Sequence, residues 1–262
     1  MAQRRGRIAQ ITRKSARELE IMREAGRIVA QALEVMRQAS EPGVSTDEID
    51  RLAEETIVSA GAIPSFKGYH GYPAAICADP DDIVVHGFPS DTMVLQEGQV
   101  FGVDVGAEYM GYHGDAARTF AIGEISAEKQ RLMDAGLEGL RRGIAAAQAG
   151  NRLVAISSAV QTYVEAQGYS VVRDLVGHGI GRAMHEPPQV PNFVQEGHFA
   201  EYNLTLRPGH TLAIEPMVNA GTYAVVQDAN RWTIRTADGQ PSVHFENTIA
   251  VSKNGPVILT AL

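Results

Sequence analysis

The sequence predicts an α+β chain built from two ααββ halves that face each other across a pseudo-twofold around a central antiparallel sheet. Three observations carry this expectation: paired helix-start signals near the N-terminus, a restart of the same element order at Ser126, and acids at matching positions in apolar strands of both halves. Ser15 with Glu18 forms a capping box, in which each side chain satisfies a backbone N–H that the first helical turn leaves unpaired. Leu19, Met22, Ala25, Val29, Leu33 and Met36 then recur at helical spacing until the Glu-Pro-Gly stretch at 41–43, predicting a long amphipathic helix. Ser45 with Glu48 opens a second helix carrying Ile49, Leu52, Ala53 and Ile57, and Gly61 stops it where a left-handed residue is favoured. Strand-like segments and turns run on to Gly123. The order restarts at Ser126, with helices predicted over 127–148 and 153–167, ended by Gly150 and Gly168, and strands and loops from there to the C-terminus.

The restart reads as an internal duplication, and aligning the halves tests it residue by residue. "LQEGQVFGVD", ending at Asp104, and "LRPGHTLAIE", ending at Glu215, share Leu, then Gly three positions on, then an acid nine positions on. "HGD", ending at Asp115, and "HFE", ending at Glu246, share His, any residue, acid. Each half thus supplies two carboxylates from strand-like sequence.

Composition sets the frame. The 262 residues, 44% of them hydrophobic, suit a single domain over 16–262, with half-repeats at about 16–123 and 126–262, behind a basic arm at 1–15. The formal charge of -8 argues against a mainly electrostatic nucleic-acid binder, although the arm "MAQRRGRIAQITRK" is locally basic and reads most simply as a solvated tail. The single cysteine, Cys77, excludes an internal disulfide or a thiolate zinc site and fits a reducing compartment. No apolar run approaches the ~20 residues of a membrane span, so a cytoplasmic location is expected.

The acids need a partner, because a carboxylate is almost never buried unless paired or metal-bound. Side chains alternate along a strand, so Asp104 points away from Phe101, Val103 and Val105, leaving one apolar face and one acidic face. Taken singly, each acid reads as a turn or salt-bridge residue. If Asp104, Asp115, Glu215 and Glu246 converge, four like charges raise one another's pKa unless cations intervene, and two divalent metals would neutralise them. His178, in the glycine-rich "VGHGIG", would add a neutral imidazole. Four carboxylates, one imidazole and no thiolate suit Mn, Fe(II), Co or Zn. His86 in "VVHGFP" and His185 in "AMHEPPQVPNF" read singly as hydrogen-bonded structural residues; beside a metal pair they become candidates for proton transfer or substrate orientation.

These residues sit in a set of motifs, "GYHGYP", "VVHGFP", "VDVG", "YHGDAARTF", "GHGIG", "HEPPQVPNF", "AIEPMVNAG", "WTIRTADG" and "HFENTIAV", that together resemble the type I methionine aminopeptidases of the pita-bread metallopeptidase fold. The similarity runs from about Leu19 to the C-terminus. It implies that Asp104 chelates one metal, Asp115 and Glu246 bridge both, and His178 with Glu215 holds the other. It further implies removal of the initiator methionine by metal-activated water, with Glu215 also handling the proton. His185 would contact the scissile peptide and stabilise the tetrahedral intermediate, and His86 would contact the amide nitrogen. Phe66, Tyr69, Tyr72, Cys77, Met184 and Trp232 would surround the methionine side chain. The implied partners are nascent polypeptide N-termini, with a transient ribosome contact for the basic arm, no membrane, and a monomeric enzyme.

Three positions depart from the family's usual residues: Phe66 in place of cysteine, Met184 in place of an aromatic, and Asp81 in place of asparagine. The first two bear on the methionine slot; the third puts in doubt a monovalent cation site known in some relatives. A prolidase or aminopeptidase P generally carries a large domain ahead of the catalytic one, and only about sixty residues precede "GYHGYP" here. A non-catalytic relative would have lost metal ligands, whereas all five are present.

Overall fold

The structure, a computed structural model, describes residues 11–194 and 204–261. The first half contributes α1 (Ala16–Ala39), α2 (Thr46–Ser59), β1 (Ile63–Pro64), a 3₁₀ turn at Tyr69–Gly71, β2 (Ile76–Pro80), β3 (Ile83–Val85), β4 (Val100–Tyr109) and β5 (Tyr112–Ala121). The second contributes α3 (Ala127–Ala146), α4 (Val154–Ala166), β6 (Ser170–Val171), β7 (Gly177–Gly179), β8 (Glu186–Val190), β9 (Thr211–Ile214), β10 (Met217–Asn219), β11 (Val225–Gln227), β12 (Ile234–Thr236), β13 (Ser242–His244), β14 (Asn247–Ser252) and β15 (Gly255–Ile258).

The helix signals operate as read. At Ser15 both arms of the capping box form, and at Ser45 and Ser126 the serine oxygen accepts from the backbone N–H of Glu48 and Lys129. Gly61, Gly150 and Gly168 all take positive φ beyond their helices. Residues 1–10 of the basic arm lie outside the described residues; its last residues differ from expectation. Lys14 is buried, and its N–H donates to the Gly209 carbonyl at 2.7 Å, so the last residues before α1 pack on the second half instead of trailing into solvent.

The predicted central antiparallel surface consists of two main sheets. One carries β1, β4 and β2 in that order with β5 paired to β4; the other runs β15-β14-β9-β7-β8. Phe101, Val103 and Val105 of β4 face α1 and α2 in one core, while Leu212, Ile214, Ile249 and Val251 face α3 and α4 in another. Helices therefore cover the outer faces and leave the acidic faces turned toward each other. The halves meet where β5 runs beside β13 and β14. Thr248 Oγ1 bonds both backbone groups of Asp115 at 2.9 and 3.0 Å, Thr119 Oγ1 does the same for His244 at 2.9 and 3.0 Å, and Glu246 N–H donates to Ala117 O at 2.9 Å. Two short threonines thus replace a continuous ladder and satisfy backbone groups that would otherwise be buried unpaired.

Close approach of α1 to this seam depends on two glycines. A Cβ at Gly26 would lie 2.2 Å from the Leu259 carbonyl oxygen, and one at Gly114 of β5 would lie 2.8 Å from Gly26 N. Gly26→Val therefore overpacks a rigid backbone contact. It is expected to cost at least ~1–3 kcal/mol, read as a fall of ~2–4 °C in Tm per kcal/mol in thermal denaturation; an unchanged midpoint would show that this contact yields freely.

Candidate metal centre and substrate cavity

The sequence-predicted residues converge. All thirteen line one cavity of about 160 Å³: the four acids and one histidine of the proposed metal set, His86 and His185, and six wall residues. Strand geometry explains the acidic floor. Asp104 and Asp115 come from neighbouring positions of the β4–β5 hairpin, with Asp104 opposite Ala117 and Asp115 opposite Gly106. Glu215 follows the last residue of β9 and Glu246 precedes the first of β14, where Ile214 pairs with Asn247. The first-half acids thus lie inside strands as expected, and the second-half acids flank strand ends. His178 is in β7, paired to Ala213 of β9.

One ligand atom each from Asp115, His178 and Glu246 falls within a mutual 4.8 Å. The His178 ring is oriented by its Nδ1, 2.9 Å from the Gly179 carbonyl. This bond makes Nδ1–H the donor and leaves the Nε2 lone pair directed at Asp115 Oδ2 (3.8 Å) and Glu215 Oε1 (3.5 Å). Burial, with His185 stacked 4.2 Å away, lowers its pKa to about 3, so the imidazole is neutral. Burial raises Asp104 to about 7 and drives Asp115, Glu215 and Glu246 well above the ordinary carboxylate range, each reinforced by at least one neighbouring acid except Asp104, which a Glu246 hydrogen bond partly restores. Asp104 Oδ1, Asp115 Oδ1 and Glu246 Oε1 are buried with no hydrogen-bond partner among the described residues. Such orphaned acceptors beside a neutral imidazole fit a cation-binding site, since each buried oxygen otherwise carries the full cost of lost hydration. Arg118 offsets this only weakly: its charge lowers Glu246 less than burial and the neighbouring acids raise it, and its guanidinium donates to the carbonyls of Ala117 and Glu246 and to Asn247 Oδ1 rather than to a carboxylate.

Above the acids, Phe66, Tyr72, Ala74, Cys77 and Met184 form a buried apolar cluster flanked by Tyr69, Phe88 and Trp232. Tyr72 is fixed by bonds from its hydroxyl to the carbonyls of Ile76 (3.1 Å) and Gly87 (2.8 Å). His86 sits on a left-handed turn, φ 61°, beside Trp232; burial, aided by nearby His185, lowers its pKa to about 4. The Nδ1 of His185 meets the Tyr69 hydroxyl at 2.8 Å.

Sequence reasoning missed three residues here. Phe88 packs edge-on against Tyr72 at 5.3 Å. Buried Asp79 accepts the Gly87 N–H at 2.8 Å and so braces the His86 turn. His244, also buried, places Nε2 3.9 Å from Glu215 Oε2, and neither ring nitrogen has another partner among the described residues. Phe88 and Asp79 lie inside quoted motifs or beside them, and the paired "HGD"/"HFE" pattern held His244 in view; no local signal marked their contacts. Asp81, the third departure, pairs with Lys129 Nζ at 2.6 Å and takes the Val100 N–H at 3.2 Å.

The fold and this cavity define a metal-dependent peptidase, and comparison with known proteins places it. The model of metallopeptidase family M24 matches residues 20–253. Methionine aminopeptidase of Clostridium acetobutylicum is 51% identical over 247 residues, 94% of this chain and 97% of that protein, and methionine aminopeptidase 1 of Bacillus subtilis is 47% identical over 249 residues, 94% and 98% of the two chains. The crystal structure of methionine aminopeptidase from Thermotoga maritima superposes with a TM-score of 0.93 at 41% identity, covering 97% of this chain and 100% of that one. The chain belongs to metallopeptidase family M24 and, within it, to the methionine aminopeptidases. A prolidase from Pyrococcus horikoshii, 22% identical, shares the fold at a TM-score of 0.75 over 95% of this chain and 63% of its own. No described helix is long and apolar enough to cross a membrane.

Because the two cores pack independently of the acidic floor, chelation should strip the metal without unfolding the chain. Returning Mn(II) or Co(II) at ~100 times its Kd should then add ~2.7 kcal/mol, a rise of about 5–10 °C in Tm at ~2–4 °C per kcal/mol. A midpoint indifferent to added divalent ion would contradict metal binding at this cluster.

Proposed function

We propose that this chain removes the initiator methionine from nascent polypeptides whose second residue is small, as a monomer in the cytoplasm, with transient ribosome contact through its basic arm. The observation that supports it most is the adjacency of a buried carboxylate–imidazole cluster and a sulfur-and-aromatic slot in one cavity. In this reading Asp104, Asp115, His178, Glu215 and Glu246 would hold two divalent ions (Co, Mn, Fe(II) or Zn). When bound, such ions polarise a carbonyl and activate water at neutral pH.

The chain's own residues do the rest. Glu215, whose side chain is 14% exposed against 5% for Asp115, is the acid open enough to take a proton from the attacking water and return it toward the amine. With the Tyr69 hydroxyl donating to Nδ1, His185 carries its proton on Nε2, free to donate to the scissile carbonyl oxygen as negative charge develops there. Neutral His86 would accept the N–H of the scissile amide and so orient it, while Glu215 returns the proton to the departing amine. Tyr69, Tyr72, Phe66, Cys77, Met184 and Trp232 receive an unbranched thioether, sulfur–aromatic contacts contributing ~0.3–1.5 kcal/mol each.

His185→Ala should lower kcat at least ~10²-fold while both ions remain bound, and His86→Ala should act similarly. Metal analysis of the purified variants checks this; loss of an ion from either would reassign that histidine to the coordination shell.

A Met-X-Gly peptide series tests the function as a whole. Gly, Ala, Ser, Thr, Pro, Cys or Val at X should be processed, and Lys, Glu, Leu or Phe poorly, because the second residue must lie between the metal cluster and His86. Leucine or norleucine as first residue should be released slowly, since one misfitting methylene or branch is worth only ~1–3 kcal/mol. Equal kcat/KM for X = Ala and X = Lys, faster release of leucine than methionine, or full activity in chelator would refute the reading.

A further inference from the structure

Between β7 and β8 the chain makes a tight loop, 180–185, whose last two residues, Met184 and His185, both line the cavity. The side chain that holds this loop is the next residue, Glu186. Its Oε1 accepts the backbone N–H groups of Arg182 (2.8 Å) and Ala183 (3.3 Å), which closes the turn around the carboxylate. Its Oε2 faces the other way and accepts from Thr12 Oγ1 (2.8 Å) and Lys14 Nζ (2.6 Å).

These two partners come from the segment preceding α1, which is itself tied down. Lys14 N–H donates to Gly209 O at 2.7 Å, Arg13 Nε to Pro208 O at 2.8 Å, and Lys14 Nζ also donates to Thr12 Oγ1. The ion pair is enclosed, with the Lys14 side chain 5% exposed and that of Glu186 13%. The packing leaves no slack: a Cβ at Gly181 would lie 2.3 Å from Lys14 Cε and 2.6 Å from Glu186 Oε1. Gly181 O in turn accepts from His113 N–H at 2.8 Å, which ties the loop to β5. Burial alone would raise the Glu186 carboxyl, but the bonds from Lys14 and Thr12 outweigh it and hold it below the ordinary range. A stabilised anion is thus the fixed point around which the loop turns.

We propose that Thr12 and Lys14 form a positioning strap that, through Glu186, sets the loop presenting Met184 and His185 to the substrate. The strap touches neither substrate nor metal and acts only through those two residues. The inference rests on the roles given to Met184 and His185 above.

The test uses the full chain with Lys14→Met, which keeps length and apolar bulk but leaves Glu186 facing an uncharged neighbour, and Thr12→Val, which removes one neutral bond. The wild-type enzyme is assayed alongside, so that failure to release methionine from Met-Ala-Gly would count against the function reading alone. Lys14→Met should lose roughly 10- to 100-fold in kcat, the scale set by misplacing a reacting group by about an ångström, with raised KM and an altered methionine-to-norleucine preference. Its affinity for Mn(II), measured by titration calorimetry, should be unchanged. Thr12→Val should lose roughly 2- to 10-fold. In a His185→Ala background the kcat loss from Lys14→Met should largely vanish, because no histidine remains to be displaced. A purely structural brace would lower Tm yet leave kcat, KM and the methionine-to-norleucine ratio at their wild-type values well below the midpoint. That result overturns the proposal, as does a full loss persisting without His185. If Lys14→Met does not fold, wild-type kinetics for Thr12→Val overturn it.

Discussion

Everything in this molecule is arranged around the removal of four carboxylates from water at the line where its two halves meet. An ionised carboxylate costs several kcal/mol to bury without compensation, and here four stand around one cavity, three of them with an oxygen that finds no partner among the described residues. The helices, by covering the outer faces of both sheets, force the inner faces together; the hairpins then deliver acids to that interface from fixed backbone positions. The one guanidinium at the seam, Arg118, is engaged by carbonyl oxygens, and burial lowers its pKa from the ordinary value. Packing alone therefore pushes these carboxyls toward their protonated forms, and bound cations would let them ionise instead, so the dependence of a peptidase on metal has a root in packing as well as in chemistry.

The seam also shows how two halves can be joined without a continuous ladder. An ordinary sheet would place backbone against backbone between β5 and β13–β14 and would bring the acids' own strands into rigid register. Thr119 and Thr248 instead reach across with hydroxyls that both donate and accept, each serving two backbone groups of the opposite half. The residues so held, His244 and Asp115, are second-layer and first-layer members of the same site. The joint that assembles the fold is therefore the joint that fixes the acidic cluster.

Much of this was legible in the sequence. The capping box at Ser15 and the N-cap serines Ser45 and Ser126 gave the helix starts, because capping is local chemistry. The acids in β4 and β5 stood out since alternation makes a charge in an apolar strand anomalous. Glu215 and Glu246 were found through the repeat, although the pleat argument does not apply to them: they lie just outside β9 and β14. What escaped was tertiary. Lys14 and Glu186 are 172 positions apart, and a basic segment at a terminus reads as a solvated tail whatever it docks on. Asp79 looked like one more acid in a turn-rich loop; only the fold shows its carboxyl gripping Gly87 N–H behind a left-handed histidine. His244 was visible as half of a pattern whose meaning was assigned entirely to the acid two residues on.

A division of labour follows from where each group is mounted. The four acids come from strands or strand ends of both halves, in nearly symmetric pairs, and a symmetric cluster by itself gives a bound peptide no direction. Direction has to come from the parts that break the symmetry. His86 rides on a turn of the first half braced by Asp79 and Tyr72, whereas His185 rides on a loop of the second half braced through Glu186. The apolar slot is equally unequal: Phe66, Tyr69, Tyr72 and Cys77 come from the first half, and only Met184 and Trp232 from the second. Loops and turns are softer than strands, so each asymmetric element needs its own buried brace, and each brace is a carboxyl accepting backbone N–H groups. The same kind of side chain that clusters at the seam, when placed one layer out, braces the two cavity histidines.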